Sequence, residues 1–327
     1  MAHHFVRQLR PEQPVDQIFL ASEKQLRSNR QGNLYLQVRL SDRSGSVDAR
    51  MWNASEEKAA VFADGDYVHV KGATQLFQGA IQLIVSRIAK AASTEVDDTN
   101  FRLLPSGEIE ALRNRLVESL HSIVEPNLRA VADAYLQDAI FMDKFCRAPA
   151  GIKNHHPYQG GLLQHVVQLC DLITRIADLY PGLDRDLVLL GAFLHDSGKV
   201  EELGYERDLH YTDAGQLLGH IVIAVSMLEF KLAELMQAQS EPFPEELALR
   251  LKHLIVSHHG ATEFGSPTVP MTVEAIALHQ LDNFDAKVNQ FEQLLRDAAN
   301  VESCWTQYHP NLGRKLFKGR GGTASDG

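Results

Sequence analysis

The chain has 327 residues, of which 44% are hydrophobic and 23% are charged, and its formal net charge is −10. This composition excludes an intrinsically disordered chain and suffices for one large domain or two ordinary ones. The charge-free stretches at 187–195 and 217–228 are too short to cross a bilayer, so we expect no membrane partner. Three scattered cysteines argue against a disulfide framework and favour a cytoplasmic location.

The charge is unevenly distributed along the chain. Residues 1–95 carry 12 basic and 10 acidic side chains, which leaves 20 basic and 32 acidic side chains for the rest. Ten of the 15 histidines fall within residues 155–282. The net charge argues against a protein that grips nucleic acid over its whole surface. Histidines concentrated in an acidic segment indicate metal chemistry.

The first part of the chain has the pattern of a β domain. Residues 33–40 alternate apolar and polar side chains, as a half-buried strand does. Further strands are predicted at 17–26, 46–52, 66–73 and 80–88, with a short helix at 54–62. Five strands with a helix after the third match an oligonucleotide-binding (OB) barrel, although periodicity alone would also fit another small barrel.

From Ser106 onward the apolar residues recur at helical spacing, after a small and polar stretch at 91–100. The last stretch, from residue 311, is rich in glycine and basic residues. The sequence therefore predicts an α+β multidomain chain. Its parts are an N-terminal segment (1–14), a five-stranded OB-type β-barrel (15–92), a linker (93–105), an all-α helical bundle (106–305) and a flexible basic tail (306–327).

The adjacent pair His195–Asp196, in LLGAFLHDSGK, is the strongest functional signal. Burying two such side chains at the end of an apolar helix is costly unless something satisfies them. One turn earlier, Gly191 leaves space for a close neighbour. Further metal-capable side chains lie on separate predicted helices, at spacings that suit a helical bundle with inward ligands. They are His165, His220, His258, His259 and Asp282.

Imidazole and carboxylate donors suit Mn, Fe, Co, Ni or Zn. Asp196 could bridge two ions, and two ions can hold a hydroxide and clamp a phosphoryl group. Lys199, three residues further on, could neutralise charge that develops on the phosphate. Asp196 and Lys199 are thus the candidate catalytic residues.

This ordered set resembles the HD-domain phosphohydrolase superfamily. More closely, a small barrel followed by GGLLQH, HDSGK, LLGH, VSHHG and LDNFD resembles the YhaM-type 3′→5′ exoribonucleases over residues ~15 to ~300. The resemblance implies metal ligands at His165, His195, Asp196 and Asp282, with His220, His258 and His259 completing a second ion. It also implies an HD-type helical domain and a Mn²⁺-dependent enzyme that removes 5′-nucleotides from RNA 3′ ends. Gly161 stands where trinuclear relatives carry an acidic residue, so two ions are expected.

Other interpretations stay open at several positions. His220 could instead cap a helix, and neighbouring side chains on a helix point about 100° apart, so His258 and His259 need not both be ligands. His155 and His156 precede Pro157 in a loop, where they either touch substrate phosphate or are surface histidines.

In the barrel, aromatic side chains are candidates for stacking on bases and basic ones for binding phosphates. Because most aromatics of a small barrel belong to its core, we expect only one or two of the aromatics to be exposed. The aromatic candidates are Phe19, Tyr35, Trp52 and Phe77, and the basic ones are Arg39, Arg50, Lys71 and Arg87.

The sequence thus favours a metal-dependent 3′→5′ exoribonuclease acting on single-stranded RNA, with single-stranded DNA as an alternative substrate. A phosphohydrolase for cyclic or free nucleotides is one alternative function. A nucleic-acid-binding factor with a structural or degenerate metal centre is another. A homo-oligomer is compatible with the sequence, which carries no decisive interface signature.

Overall fold

The computed structural model describes residues 3–29, 31–77, 79–101, 104, 106–151, 158–204, 210–238, 242–296 and 303–319. It divides into two compact units. One comprises Met1–Leu103 with Phe291–Gly327, and the other comprises Leu104–Gln290. Each unit is built around a hydrophobic core of its own.

The first unit contains a closed barrel of five strands in the order β1-β2-β3-β5-β4. The strands are β1 (Pro14–Ser28), β2 (Leu34–Asp42), β3 (Gly45–Trp52), β4 (Tyr67–Phe77) and β5 (Ala80–Lys90), and the short helix α1 (Glu56–Ala59) lies between β3 and β4. Strands β3 and β5 pair in parallel and close the barrel, whereas the other pairs are antiparallel. The predicted OB-type barrel and its order of elements are confirmed.

Strand β2 shows why this sequence forms a barrel wall. Leu36, Val38 and Leu40 are almost fully buried, whereas the residues between them are only partly buried. The period of two places every second side chain in the barrel interior. Burial of these three side chains stabilises the strand by roughly 1.5–3 kcal/mol each.

Residues 303–319, the C-terminal hairpin, fold back on themselves in the same unit as the barrel. The backbone N–H of Thr306 donates to Leu316 (2.9 Å) and that of His309 donates to Arg314 (3.0 Å). The turn between them ends at Gly313, whose φ of 63° suits glycine. Thr306 and Leu316 are buried. In this region the structure differs from the flexible tail expected from the composition, because one buried side chain on each arm fixes the hairpin.

The second unit is helical, as predicted. Its helices are α2 (Ser106–His121), α3 (Pro126–Leu136), α4 (Ala139–Arg147), α5 (Gly161–Ile176), α6 (Arg185–Leu194), α7 (Lys199–Glu202), α8 (Asp213–Ala238), α9 (Glu245–Ser257) and α10 (Val273–Arg296). Two two-residue strands, β6 (Leu203–Gly204) and β7 (His210–Tyr211), pair between α7 and α8.

Helix α6 runs through the centre of this unit. Asp184 caps its first turn by accepting from the backbone N–H of Leu187 (3.0 Å). All side chains from Leu187 to Leu194 are buried. A Cβ at Gly191 would overlap the side chain of Leu254, so glycine lets α9 pack directly against α6. This confirms the close approach expected from the sequence.

Helix α8 is interrupted at Gly219, whose backbone (φ 73°, ψ 157°) is not helical. Segment Asp213–Gln237 is long and apolar enough to cross a membrane by length and composition. The length of the charge-free stretches had led us to expect no such segment. One such helix is a weak sign of a membrane, because core helices pass the same test. Ala224, Leu228 and Leu232 of this helix belong to the core of the unit.

We expect Gly198→Ala to destabilise this unit. A Cβ at Gly198 would overlap the backbone carbonyl of His220 and crowd the backbone nitrogen of Ala224, neither of which can rotate away. The predicted loss is about 1–3 kcal/mol of unfolding free energy, measured by urea denaturation. Gly107→Ala is the control, since a Cβ there meets nothing within 4 Å. Equal stability of the two variants would contradict the close approach.

Candidate metal centre

Helix α5 carries His165 into the interior of the helical unit. Leu162, Val166 and Leu169 are buried on the same helix face, and the His165 ring is fully buried among them. Its Nδ1 lies 2.7 Å from Oδ2 of Asp285, on α10. Because an ionised carboxylate can only accept, this contact places the ring proton on Nδ1.

His195 and Asp196 follow the buried helix α6 directly, as the sequence indicated, and both are buried. The Nδ1–H of His195 donates to the backbone carbonyl of Ala192, at 2.9 Å. The helix end therefore fixes the ring, and its Nε2 lies 3.4 Å from Oδ2 of Asp196.

Three further histidines are oriented in the same way from α8 and α9. Nδ1 of His220 lies 3.0 Å from Oε1 of Glu202. Nδ1–H of His258 donates to the carbonyl of Ile255 (2.7 Å), and that of His259 donates to the carbonyl of Phe264 (2.9 Å). In each of these rings Nδ1 is the donor. Nε2 therefore keeps a lone pair that can bind a metal ion.

The inward atoms form three overlapping groups, in each of which the donor atoms lie within 4.8 Å of one another. His195 belongs to two of the groups, and so does His258, so the groups form one continuous cluster. The groups are His165–His195–Asp282, His195–Asp196–His258 and His220–His258–His259. All seven predicted metal ligands are thus brought together.

Three atoms of the cluster show that it fits a cation. Asp196 Oδ1, His220 Nε2 and His258 Nε2 are buried without a hydrogen-bond partner. Nε2 of His220 is 3.5 Å and Nε2 of His258 is 3.7 Å from Asp196 Oδ1. Buried polar atoms that lack partners are costly. Converging lone pairs on nitrogen and oxygen are what a first-row divalent ion requires.

Comparisons with known proteins agree with this geometry. The family model described as "HD domain" matches residues 162–287, and that described as "OB-fold nucleic acid binding domain" matches residues 22–91. The 3'-5' exoribonuclease YhaM of Bacillus subtilis is 38% identical over 289 residues, which is 86% of this chain and 87% of that protein. The YhaM protein of Bacillus velezensis is 38% identical with the same coverage, and that of Bacillus licheniformis is 37% identical over 84% and 85% of the two chains.

The chain belongs to the YhaM family of 3′-5′ exoribonucleases.

In this YhaM-family chain the charge states of the buried groups are set by their neighbours. Burial opposes ionisation of Asp196, but the charges of Lys199 and His195 hold its pKa well below the usual range. Burial lowers the pKa of His258 far below that of a free histidine. Both groups therefore have the forms that bind metal, carboxylate and neutral imidazole, at neutral pH.

His165 has the opposite shift. Burial disfavours its protonated form, but hydrogen bonds with Asp282 and Asp285 outweigh burial and raise its pKa to about 9. Metal binding at its Nε2 would therefore displace a proton.

Lys199 contacts the carboxylate of Asp196 directly. Its Nζ donates to Asp196 Oδ2 and to the backbone carbonyl of Ala150, both at 2.6 Å. The structure thus gives Lys199 a role in fixing the orientation and charge of Asp196. Its predicted contact with substrate phosphate stays a prediction.

Three further residues position the ligands, and two of them, Asp285 and Glu202, were not assigned from the sequence. Asp285 holds His165, and Glu202 accepts from both the ring and the backbone N–H of His220. Nδ1–H of His279 donates to the carbonyl of His258 (2.7 Å). Two of these residues lie three positions from Asp282 on α10, and that spacing on one helix face was the signal available.

The aromatic candidates of the barrel separate into core and surface. Phe19 is fully buried, whereas Trp52 and Phe77 are 45% and 42% exposed. Tyr35 packs beside Trp52, with 5.3 Å between ring centroids. The Arg50 guanidinium lies 5.5–5.9 Å from the centroids of Tyr35, Trp52 and Phe77. We call these three rings and Arg50 the aromatic cluster.

Two basic candidates already face carboxylates. Arg39 pairs with Glu23 (3.1 Å) and Asp48 (3.4 Å). Lys71 pairs with Asp16 (2.7 Å). These carboxylates neutralise part of the positive charge with which Arg39 and Lys71 would bind a phosphate. Phosphate binding by these two residues stays a prediction. His155 and His156 lie outside the described residues.

We expect Asp285→Asn to weaken metal binding by about 10- to 100-fold, because residues that orient a metal-bound histidine have effects of that size. The asparagine can still contact His165 but cannot carry the charge that stabilises its Nδ1–H. Competition with a chelating dye would measure the affinity. Glu292→Gln, a carboxylate-to-amide change at an exposed position of α10, is the control. Unaltered affinity in Asp285→Asn would contradict the positioning role.

Proposed function

We propose that this chain is a metal-dependent 3′→5′ exoribonuclease that releases nucleoside 5′-monophosphates from single-stranded RNA. The observation that carries the proposal is the buried cluster of unpartnered donor atoms around Asp196, in a chain of the YhaM family. A set of ligands that is intact in sequence and converges in space argues against a degenerate metal centre. The match of the barrel to a nucleic-acid-binding family favours a polymer over cyclic or free nucleotides.

The two carboxylate oxygens of Asp196 face different histidines of the cluster. Its Oδ2 lies 3.4 Å from Nε2 of His195, and its Oδ1 lies 3.5 Å from Nε2 of His220. Two ions would be held by His165, His195, Asp196 and Asp282 on one side and by Asp196, His220, His258 and His259 on the other. When bound, such ions activate water and neutralise the charge of the scissile phosphodiester.

The protein itself contributes orientation and charge. Five imidazoles are fixed through Nδ1, so their Nε2 atoms need little reorganisation when a cation enters. Lys199 keeps Asp196 ionised through a 2.6 Å contact and places a positive charge beside the proposed position of the phosphate. We propose that this charge also stabilises the negative charge that develops on the phosphate during cleavage.

The aromatic cluster of the barrel is proposed to bind the strand. Exposed rings stack on bases of any sequence, and Arg50 lies among three of them, where a guanidinium can contact both rings and phosphate. Such binding is tolerant of sequence, which suits an enzyme that shortens many RNAs.

Several finer features belong to the same proposal. The donor set of nitrogen and oxygen supports Mn as the working ion, with Fe, Co, Ni or Zn as alternatives. RNA is proposed as the preferred substrate and single-stranded DNA as a secondary one. The three free cysteines support a cytoplasmic location. A homo-oligomer is proposed only as an arrangement to be tested by light scattering.

Asp196→Asn is expected to reduce release of mononucleotides from a 3′ end by at least about 10³-fold, because the carboxylate contacts both halves of the cluster. Chelation of the wild-type enzyme should have the same effect, and adding Mn²⁺ should restore activity. The assay is a 5′-labelled RNA oligomer followed by gel electrophoresis, with a DNA oligomer and cyclic nucleotides in parallel.

Asp178→Asn is the matched control, since Asp178 is exposed on the helical unit outside the cluster. Full activity after complete removal of metal would overturn the proposal. Faster turnover of a cyclic nucleotide than of RNA would replace it with the phosphohydrolase alternative.

Trp52→Ala is expected to weaken binding of oligouridylate by about 5- to 100-fold, the range typical of losing one stacked base. Fluorescence anisotropy of labelled RNA would measure this in the Asp196→Asn background, where the strand is not degraded. Tyr180→Ala, which removes an exposed aromatic from the helical unit, is the control. Equal affinity of the two variants would show that the aromatic cluster does not bind RNA.

A further inference from the structure

The C-terminal hairpin has two different faces. Thr306 and Leu316 are buried, whereas Trp305 and Phe317 on either side of them are 49% and 51% exposed. Alternation of this kind is typical of strands with one face packed and one face in water. Two large aromatic side chains therefore lie on the face that is in contact with water, where a ligand can reach them.

The two exposed rings form a pair. Trp305 and Phe317 lie opposite each other across the hairpin, with 5.0 Å between centroids and an angle of 54°. Tyr308 on the same arm is 58% exposed. A rigid, accessible ring pair is a surface on which an unpaired base can stack without ordering a loop.

The charge of the hairpin suits a polyanion. Residues 303–319 contain Arg314, Lys315 and Lys318 and no aspartate or glutamate. Arg314 and Lys315 are exposed. A chain with a net charge of −10 thus carries a purely basic segment beside exposed aromatic rings. Basic side chains interleaved with aromatics are the composition of single-strand binding surfaces.

The hairpin also lies beside the turn that follows Phe77 of the aromatic cluster. A Cβ built on Gly79, in the turn between β4 and β5, would lie 3.3 Å from Nε2 of Gln307. Phe77 of the aromatic cluster is two residues before Gly79. The hairpin therefore lies next to the turn that directly follows Phe77.

We propose that the C-terminal hairpin is a second binding element for single-stranded RNA, which extends the strand path of the aromatic cluster. Trp305 and Phe317 stack on a base, and Arg314 and Lys315 bind the phosphates beside it. This inference rests on the proposed function for its ligand, but it concerns a segment that lies outside the residues matched to the HD and OB families.

The two tryptophans of the chain allow a direct test. Trp52→Phe leaves Trp305 as the sole tryptophan, and Trp305→Phe leaves Trp52. Both changes keep an aromatic ring. We expect oligouridylate to quench the fluorescence of Trp305 in Trp52→Phe, with a midpoint that matches binding of labelled RNA by anisotropy. Unchanged Trp305 fluorescence at RNA concentrations that saturate the protein would overturn the proposal.

Affinity provides the second measurement, again in the Asp196→Asn background. Trp305→Ala should weaken binding of a long oligouridylate, about 16 nucleotides, by about fivefold or more, and should leave binding of a tetranucleotide unchanged. Lys315→Gln should reduce the slope of log Kd against log salt by about 1, whereas the exposed Lys287→Gln control should not. Equal losses for both RNA lengths, or an unchanged salt slope in Lys315→Gln, would refute the assignment.

Thermal unfolding of each variant detects a misfolded hairpin, and Trp305→Phe and Lys315→Gln retain most of its packing. Release of mononucleotides by the wild-type enzyme tests the proposed function separately. An active wild-type enzyme whose Trp305 is not quenched would refute the hairpin alone, whereas quenching without hydrolysis would refute the exonuclease proposal alone.

Discussion

The fixing of five imidazoles through their Nδ1 atoms is the interaction on which the helical unit depends. Each ring is held by a carboxylate or a backbone carbonyl. A histidine with a proton on Nε2 would repel a cation, whereas His220, His258 and His259 present lone pairs there and His165 releases a proton when a metal binds. The cost of leaving such atoms unpaired in the interior is offset only when a cation binds. The affinity of the unit for metal therefore depends on the fixed orientation of these side chains.

Glycine makes this orientation possible at two close approaches. Gly191 lets α9 reach α6, which brings His258 toward His195, and Gly198 lets the backbone of His220 reach the turn after Asp196. Both glycines flank the His195–Asp196 pair in sequence. The small residues and the ligands thus act together, because the separation of the donor atoms is set by how closely the helices pack.

Much of this centre could be predicted from the sequence, since each ligand lies within a helix that has an apolar stripe or directly follows one. The roles of Glu202 and Asp285 could not, because they depend on contacts between segments that local periodicity does not relate. The C-terminal hairpin could not be predicted for a different reason. Its glycines and basic residues are typical of a flexible tail, and only Thr306 and Leu316 carry the packing that orders it. In the barrel, alternation predicted the strands, but it could not separate the buried Phe19 from the exposed Trp52.

The contact between His165 and Asp285 joins positions that are 120 residues apart. During synthesis, α5 leaves the ribosome long before α10 has been made. His165 therefore cannot contact Asp285 until most of the chain has been translated. A ribosome-bound fragment that lacks α10 can form helices but cannot complete the centre. The connectivity of the fold therefore delays completion of the centre until most of the chain has been translated.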